Sequence, residues 1–334
     1  MIQPFISIVI PAFNEERYIK DCLASIFSQD YPIDSMEVIV VDGASTDSTK
    51  SVIQELFPSV VILNNPDRIV PISMNMGITA AKGEYIIRID AHAKYPTNYV
   101  SYLISEAMRL KADNVGAVCR TLPLNSSPKA KAIATALSTK FGMGDSAFRV
   151  GANEVMEVDT VPFGCYHHSI FKKVGMYDEE LVRNQDDELN ARIIKSGGRI
   201  FLLPSLVIDY YGRDTYQKTW KMFYQYGLFK PLVNKKLKGA ATLRQFVPLC
   251  FVLYLILLPI FIILFSSYKL LILIPMILYI MADLYFSVRH GGSLSTIGHL
   301  LLVYPTIHIA YGLGYIDGIL RIVLRRPFVA KVNR

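Results

Sequence analysis

This sequence lacks the cysteine and leader patterns of secreted and zinc-binding proteins. Its four cysteines, Cys22, Cys119, Cys165 and Cys250, lie far apart and form no C-x-x-C pair. This spacing predicts neither a zinc site nor a disulfide framework, and it fits a reducing compartment. The first residues carry no basic segment ahead of a long apolar run, so we do not expect a signal peptide.

Phosphate-binding and nucleic-acid motifs are also missing. No G-x-G-x-x-G follows the first predicted strand and no G-x-x-x-x-G-K-[ST] occurs, which excludes the dinucleotide-binding fingerprint and the P-loop. The net charge is +7, but no stripe of basic and aromatic residues accompanies it. We therefore expect no nucleic acid as a partner, and a metal ion rather than a glycine-rich loop as the phosphate binder.

Apolar residues are concentrated after residue 245. Hydrophobic residues make up 52% of the chain, which is high for a soluble enzyme. Residues 246–265 contain no charge and residues 270–288 contain one acid near their end, so each segment is long enough to cross a bilayer. A third apolar segment, 297–320, is broken by proline and glycine. We predict a cytosolic domain over residues 1–240 and a membrane domain over residues 241–334.

Basic residues near these segments predict the orientation in the membrane. Five precede the first span and five follow the third segment: Lys230, Lys235, Lys236, Lys238, Arg244, Arg321, Arg325, Arg326, Lys331 and Arg334. Because basic residues favour the cytoplasmic side, we expect a multi-pass protein of the inner (plasma) membrane with a cytoplasmic catalytic domain and membrane lipids as partners. Segment 297–320 is then re-entrant or interfacial, and the alternative is a third span. The region anchors the chain, presents a lipid-linked acceptor, or does both.

The first ninety residues alternate between short apolar strands and amphipathic helices. Strands are predicted near residues 6–10, 38–41, 60–63 and 85–89, with helices between them. This order indicates an α/β fold with a doubly wound sheet. Residues 123–149 are less regular, with one helix around 132–137, and form either a loop over the site or an ordinary surface loop.

Polar residues follow two of the predicted strands. Asp42 ends the second strand, and Asp90 and His92 follow the fourth. Ligands bind beyond the carboxyl ends of strands in such sheets, and carboxylate and imidazole are good ligands for divalent ions. We predict that Asp90 and His92 bind a metal that in turn binds a nucleotide diphosphate, and that Asp42 accepts hydrogen bonds from the nucleoside. The simpler interpretation is that Asp90 merely ends a strand.

An acidic cluster, N-Q-D-D-E-L, occupies residues 184–189 at the start of a short predicted helix. Acids at a helix start suit the macrodipole and need no function. The alternative is a general base that takes a proton from a hydroxyl group of a substrate. A helix N-terminus lowers the pKa of a carboxyl and weakens it as a base, so burial or neighbouring acids would have to offset that effect.

Three motifs together resemble family 2 glycosyltransferases with the GT-A fold. They are P-A-F-N-E-E from residue 11, V-V-D-G-A-S-T-D-S-T from residue 40, and N-M-G-I-T-A-A-K-G-E-Y-I-I-R-I-D-A-H from residue 75. The D-A-H in place of D-x-D is most similar to the succinoglycan-type bacterial exopolysaccharide enzymes. The resemblance implies a doubly wound mixed sheet with helices on both faces, followed by C-terminal transmembrane helices.

The resemblance also implies roles for individual residues. Glu15 and Asp42 contact the nucleotide base and ribose, and Asp90 coordinates Mg or Mn on the diphosphate of the donor. Asn75 and Arg88 occupy motif positions near the donor. His92 departs from the D-x-D pattern and is kept as a candidate ligand.

The family motif E-D-x-[DE]-L falls on residues 185–189. It makes Asp186 the predicted base, with Asp187 in reserve, and Gln185 replaces the usual Glu. The Q-x-x-R-W signature of processive synthases is absent, so we expect single sugar addition. The reaction implied is inverting transfer from a nucleotide-diphosphate sugar, expected to be a UDP-sugar, to a polyprenyl-linked or saccharide acceptor of an envelope glycan or exopolysaccharide. The alternatives are a sugar-nucleotide nucleotidyltransferase and a non-catalytic membrane scaffold or transporter.

Overall fold

The computed structural model describes residues 3–240 and 242–328. Its strands are β1 Ile6–Ala12, β2 Met36–Asp42, β3 Val61–Asn64, β4 Tyr85–Arg88, β5 Ala93–Lys94, β6 Asn114–Leu122, β7 Met156–Glu157, β8 Cys165–His167 and β9 Ile200–Tyr211. Its helices are α1 Ile19–Phe27, α2 Thr49–Leu56, α3 Val70–Ala80, α4 Tyr99–Leu110, α5 Pro128–Ala136, α6 Lys140–Met143, α7 Ala147–Val150, α8 Ser169–Val174, α9 Gln185–Lys195, α10 Tyr216–Lys236, α11 Val247–Leu264, α12 Lys269–Gly291 and α13 Leu294–Val323.

The strands form one mixed sheet in the order β3-β2-β1-β4-β8-β6-β9-β5, with β7 beside β9. The pairs β1–β2, β1–β4 and β2–β3 are parallel, whereas β8 is antiparallel to both of its neighbours. The chain reverses its direction of winding between β1 and β4, which is where open α/β sheets bind ligands. The predicted doubly wound sheet is therefore confirmed.

The central strands form because their residues are apolar on both faces. Every residue of β1 is buried, and β2 is nearly as buried, as expected of parallel strands covered by helices on both sides. Helix α3 lies close against them at Gly77, where a Cβ would come within 2.3 Å of Val9 Cγ1. This core fixes the ends of β1, β2 and β4, from which the functional side chains extend.

The described residues form two compact units. We call residues 3–120 and 151–210 the sheet unit, and residues 121–150 and 211–328 the helical unit. The predicted division at residue 240 concerns a cytosolic and a membrane domain, and it stays a prediction. Lys331 and Arg334, used in the orientation argument, lie outside the described residues.

Residues 121–150 are more regular than the sequence indicated. Helices α5, α6 and α7 lie within them, and α5 shares a buried cluster with α10 and α13. The cluster includes Ile133, Leu137, Phe223, Tyr304 and Ile307. The helix predicted around 132–137 is confirmed as α5, and the segment is not the irregular loop that the sequence indicated, because its alanine-rich face is buried in the helical unit.

Helices α11, α12 and α13 are each long and apolar enough to cross a membrane. The first two agree with the predicted spans. The third segment is one continuous helix of 30 residues despite Pro305 within it, so the re-entrant alternative, which needs a turn, is wrong.

Candidate functional site

Three side chains that can bind a metal meet where β1 and β4 end. Glu15 follows β1, and Asp90 and His92 follow β4; one ligand atom from each lies within 4.8 Å of the others. His92 Nδ1 is 2.9 Å from Asp90 Oδ1 and 3.4 Å from Glu15 Oε1. The structure therefore brings the predicted pair together and adds Glu15, for which the resemblance implied contact with the nucleotide.

Glu15 is held firmly in this position. Only 2% of its surface is exposed, and its backbone N–H donates to Thr49 Oγ1 at 2.8 Å. Burial raises the pKa of Asp90, but the neighbouring His92 and Arg88 outweigh that effect and lower it overall. Asp90 is therefore ionised at neutral pH. Two carboxylates and an imidazole form a donor set that suits a divalent cation.

A second feature is the buried carboxylate of Asp42 at the end of β2. It has no exposed surface; its Oδ2 accepts from the Ser45 N–H at 3.0 Å and lies 3.4 Å from Lys50 Nζ. Its Oδ1 accepts no hydrogen bond from any residue in the described ranges. A buried acceptor without a donor is unfavourable, so this atom fits a ligand that presents an N–H or O–H.

An aromatic side chain, Phe13, lies against Gly43, the residue that follows Asp42, and the sequence analysis assigned it no role. The Phe13 Cβ is 3.2 Å from the position a Cβ on Gly43 would take, directly after Asp42. The Arg68 guanidinium lies 5.3 Å from the centre of the Phe13 ring. A flat ring at this end of the sheet offers a surface on which a nucleobase can stack. The phenylalanine of the P-A-F-N motif is the signal in the sequence that could have identified this ring.

The third feature is an ion pair between β4 and α9. The Arg88 guanidinium donates to Asp186 Oδ1. The negative charge of Asp90 also raises the pKa of Arg88. The pair places Asp186, in the first turn of α9, at the same end of β4 as the metal-binding group. The aromatic ring of Phe163 lies 5.8 Å from the Arg88 guanidinium carbon.

Electrostatics decide whether Asp186 can serve as a base. Burial raises its pKa; the Arg88 charge lowers it and the Asp187 charge raises it, with a net rise. Burial therefore provides the rise in the pKa of Asp186 that a base at a helix start requires. A raised pKa makes the ionised carboxylate a stronger proton acceptor.

A chain of buried hydrogen bonds ends at Asp187. The Asn114 amide donates to Asn190 Oδ1 at 2.9 Å, and the Asn190 amide donates to Thr160 Oγ1 at 2.8 Å. The Thr160 hydroxyl donates to Asp187 Oδ1 at 3.3 Å. These bonds orient Asp187 toward Thr160, whereas the adjacent Asp186 lies at Arg88.

Asn75 bonds to the segment between α8 and α9. Its amide donates to the Tyr177 carbonyl at 3.0 Å and to Glu179 Oε1 at 2.9 Å, and its Oδ1 accepts from the Tyr177 N–H at 2.9 Å. It therefore holds the segment before α9, whose Tyr177 interacts with Asp186. A direct contact of Asn75 with the donor stays a prediction.

Comparisons with known proteins identify the family of this chain. The model of Glycosyl transferase family 2 matches residues 7–175. The Methanococcus voltae dolichyl N-acetyl-alpha-D-glucosaminyl phosphate 3-beta-D-2,3-diacetamido-2,3-dideoxy-beta-D-glucuronosyltransferase is 34% identical, covering 70% of this chain and 74% of that protein. The succinoglycan biosynthesis protein ExoA of Rhizobium meliloti is 32% identical, covering 72% of this chain and 74% of that protein.

Solved structures support the fold. The mannosyltransferase PcManGT of Pyrobaculum calidifontis, solved with GDP-Man and Mn²⁺, has a TM-score of 0.58 at 17% identity and covers 95% of this chain and 88% of that one. TarS 1–349 of S. aureus, solved with UDP-GlcNAc, has a TM-score of 0.53 at 15% identity over 96% of this chain and 92% of that one. With the GT-A fold confirmed and the family model and both relatives in agreement, this chain belongs to glycosyl transferase family 2 and is a glycosyltransferase.

Proposed function

We propose that this enzyme transfers one sugar, with inversion, from a UDP-sugar to a lipid-linked or glycan acceptor at the cytoplasmic face of the inner (plasma) membrane. One observation carries the proposal. A metal-binding group, a buried carboxylate with an unpaired oxygen and a carboxylate with a raised pKa all lie at the carboxyl ends of β1, β2 and β4. We propose a single sugar addition because the sequence lacks the Q-x-x-R-W signature of processive synthases.

Glu15, Asp90 and His92 are the residues that would hold a divalent ion. Mg²⁺ and Mn²⁺ both suit carboxylates. When bound, the ion offsets negative charge on the diphosphate that leaves. The chain itself contributes two carboxylates held close together, whose mutual repulsion favours a cation between them. Arg88 lies beside Asp90 and adds one fixed positive charge at this end of the sheet.

Asp42 supports uracil as the base of the donor. Its Oδ2 is already used by the Ser45 N–H, so one buried oxygen is left to accept from a base. Uracil presents one ring N–H, whereas the corresponding edge of guanine presents donors from two nitrogens. A single acceptor therefore matches uracil better. Phe13 provides a ring against which the base can stack.

Asp186 supports the chemical step. Its carboxylate accepts the proton of the acceptor hydroxyl while that oxygen forms a bond to the anomeric carbon. The bond from this carbon to the diphosphate oxygen breaks, and its electron pair leaves with the diphosphate. One displacement at one carbon inverts its configuration. Arg88 fixes the orientation of Asp186 and keeps part of its charge balanced before the acceptor arrives.

The names of the relatives support the class of acceptor. The Methanococcus voltae relative acts on a dolichyl-phosphate-linked sugar, and the Rhizobium meliloti relative serves succinoglycan synthesis. A carrier with a polyprenyl chain would lie in the bilayer that α11 and α12 are apolar enough to cross. We therefore propose an envelope glycan or exopolysaccharide intermediate on such a carrier.

The test is UDP release by purified full-length protein in detergent, with a panel of UDP-sugars, Mn²⁺ or Mg²⁺, and a polyprenyl-diphosphate saccharide as acceptor. We expect metal-dependent turnover with one donor and loss of turnover in Asp90→Ala. Asp209→Asn, a surface acid paired with Arg120, is the matched control and should behave like the parent protein. Diphosphate release from UTP would instead indicate a nucleotidyltransferase, and turnover of GDP-sugars alone would exclude the uracil assignment.

A further inference from the structure

Helices α10 and α13 lie parallel along their lengths. Near their starts the Tyr216 hydroxyl is 2.6 Å from His299 Nδ1, and farther along the Asn234 amide donates to the Tyr315 hydroxyl at 2.8 Å. The partners are 83 and 81 positions apart. Because this offset is nearly constant, the two helices advance together in the same direction.

Glycine brings the two backbones into contact. A Cβ on Gly227 would lie 2.0 Å from the Tyr311 carbonyl oxygen, and one on Gly314 would lie 2.1 Å from the Tyr224 carbonyl oxygen. The Tyr224 hydroxyl also donates to Asp317 Oδ2 at 2.8 Å. Such close packing means that α10 must share the depth of α13 in any membrane.

Helix α10 is unsuited to the interior of a bilayer. It has no acid and five lysines among its 21 residues, namely Lys218, Lys221, Lys230, Lys235 and Lys236. At 1.5 Å per residue it is about as long as the hydrocarbon layer is thick. If α13 crossed the bilayer, these lysines would enter hydrocarbon beside it, which is strongly unfavourable for charged side chains.

The outer surfaces of the pair differ in polarity. On α10 the exposed residues include Lys218, Trp220 and Lys221, whereas on α13 they include Leu302 and Val323. Helices α11 and α12 are covered less by the rest of the protein than α13 is. Only 11% of the most apolar stretch of each is buried, compared with 39% for α13. One basic and aromatic surface beside one apolar surface is typical of helices that lie in the membrane interface.

We propose that α10 and α13 form an in-plane helix pair that binds an anionic bilayer surface, and that α11 and α12 alone cross the bilayer. Two crossings return the chain to its original side. The exposed Arg325 and Arg326 after α13 then stay on the cytoplasmic side with the lysines of α10, as the distribution of basic residues in membrane proteins requires. The proposal does not depend on the donor or on the identity of the base.

Trp220 is the one tryptophan of the sequence, so its fluorescence reports the depth of α10 directly. The full chain is reconstituted into phosphatidylcholine vesicles with or without phosphatidylglycerol. The lipids are brominated either near the headgroup or near the end of the acyl chain. We expect shallow bromine to quench Trp220 at least about twofold more than deep bromine, and more strongly with phosphatidylglycerol present.

Matched variants calibrate this experiment. Trp220→Phe/Ile256→Trp places the tryptophan on an exposed position in the middle of α11 and should show the opposite order of quenching. Lys218→Gln/Lys221→Gln should reduce the effect of phosphatidylglycerol on Trp220, whereas Lys20→Gln/Lys111→Gln should not. Deep quenching of Trp220, or quenching by aqueous iodide with none from either lipid, would overturn the in-plane pair.

Cysteine labelling tests the number of crossings independently. In a Cys250→Ser background, since the other three cysteines are buried, single cysteines are introduced as Lys20→Cys, Ser267→Cys and Arg326→Cys. A membrane-impermeant maleimide on intact cells should label only Ser267→Cys, in the turn between α11 and α12. The other two should label after permeabilisation. Labelling of Arg326→Cys from outside would show that α13 spans and would overturn the proposal.

Discussion

The sheet unit and the helical unit carry opposite charge. Residues 3–120 and 151–210 contain 16 Lys and Arg and 24 Asp and Glu, whereas residues 121–150 and 211–328 contain 17 Lys and Arg and four Asp and Glu. An acidic surface repels a nucleotide diphosphate unless a cation offsets the charge, whereas a basic surface attracts anionic headgroups directly. If both proposals hold, this chain binds phosphate in two ways, through a metal in the sheet unit and through Lys and Arg in the helical unit.

Their polar residues are also organised differently. In the sheet unit Glu15 and Asp42 are buried, and specific hydrogen bonds orient Asp42 and, through the chain that starts at Asn114, the half-buried Asp187. In the helical unit many cations are exposed, as at Lys218 and Arg325. Fixed geometry is needed to select a reacting atom, whereas an exposed layer of positive charge suffices to attract a bilayer surface.

The largest effect is expected at the proposed base in the sheet unit. Asp186→Asn should lower kcat about 10²–10⁴-fold, because a general base contributes that much to proton transfer. The affinity for UDP should not change. Steady-state UDP release with saturating donor and acceptor measures this, and Asp187→Asn is the matched neighbour that should keep most of its activity. The reverse ranking would transfer the role to Asp187.

A smaller effect is expected at the nucleoside carboxylate. Asp42→Asn should weaken UDP binding roughly 10–100-fold, since a hydrogen bond to a charged group contributes about 1.5–3 kcal/mol. Titration calorimetry of UDP with the full chain in detergent measures the loss. The exposed Asp34→Asn serves as control. Unchanged UDP affinity in Asp42→Asn would mean that the unpaired oxygen is not part of the nucleotide site.

The thermal stability of the helical unit should depend on the close packing of α10 against α13. Gly227→Ala forces a methyl group against the Tyr311 carbonyl, and overpacking of this kind costs about 1–3 kcal/mol of unfolding free energy. Gly298→Ala is the control on α13, because nothing lies within 4 Å of its added Cβ. Thermal unfolding in detergent should show a lower Tm for the first variant and an equal or higher Tm for the second. Equal Tm values would argue against close contact of α10 and α13.

The smallest effect is a shift in pH dependence. Burial and the charge of Asp187 raise the pKa of Asp186, so kcat should fall as the pH falls through that raised value. Asp187→Asn removes a negative charge, lowers the pKa of Asp186, and should move the acid limb of the kcat profile to lower pH by less than about one unit. Thr160→Val keeps the charge and should leave the limb in place. A shift to higher pH in Asp187→Asn would contradict this account.

Much of the sheet could be predicted from the sequence for a physical reason. Parallel strands covered on both faces must be continuously apolar, so β1, β2 and β4 were recognisable one by one. Their carboxyl ends share one edge, which made it predictable that Asp42, Asp90 and His92 lie at that edge of the sheet. That Glu15 joins the metal-binding group follows from β1 lying directly beside β4, a pairing that no local pattern specifies.

Contacts between residues that are far apart in the chain could not be predicted from the sequence. Arg88 and Asp186 are 98 positions apart, and their pairing depends on where α9 lies relative to β4. The contacts of α10 with α13 depend on glycines whose role is visible only once the partner backbone is known. The buried face of residues 121–150 was missed because short alanine-rich helices have weak periodicity and take their stability from packing.

The most direct test of the central claim is Mn²⁺ binding to the full chain in the presence of UDP, followed by electron paramagnetic resonance. We predict that Asp90→Ala and Glu15→Gln each weaken binding by at least about tenfold, whereas the exposed neighbour Glu16→Gln does not change it. That result would place Glu15 and Asp90 at one ion, in the group that they form with His92. Equal Mn²⁺ affinity in Asp90→Ala and the parent protein would contradict the account.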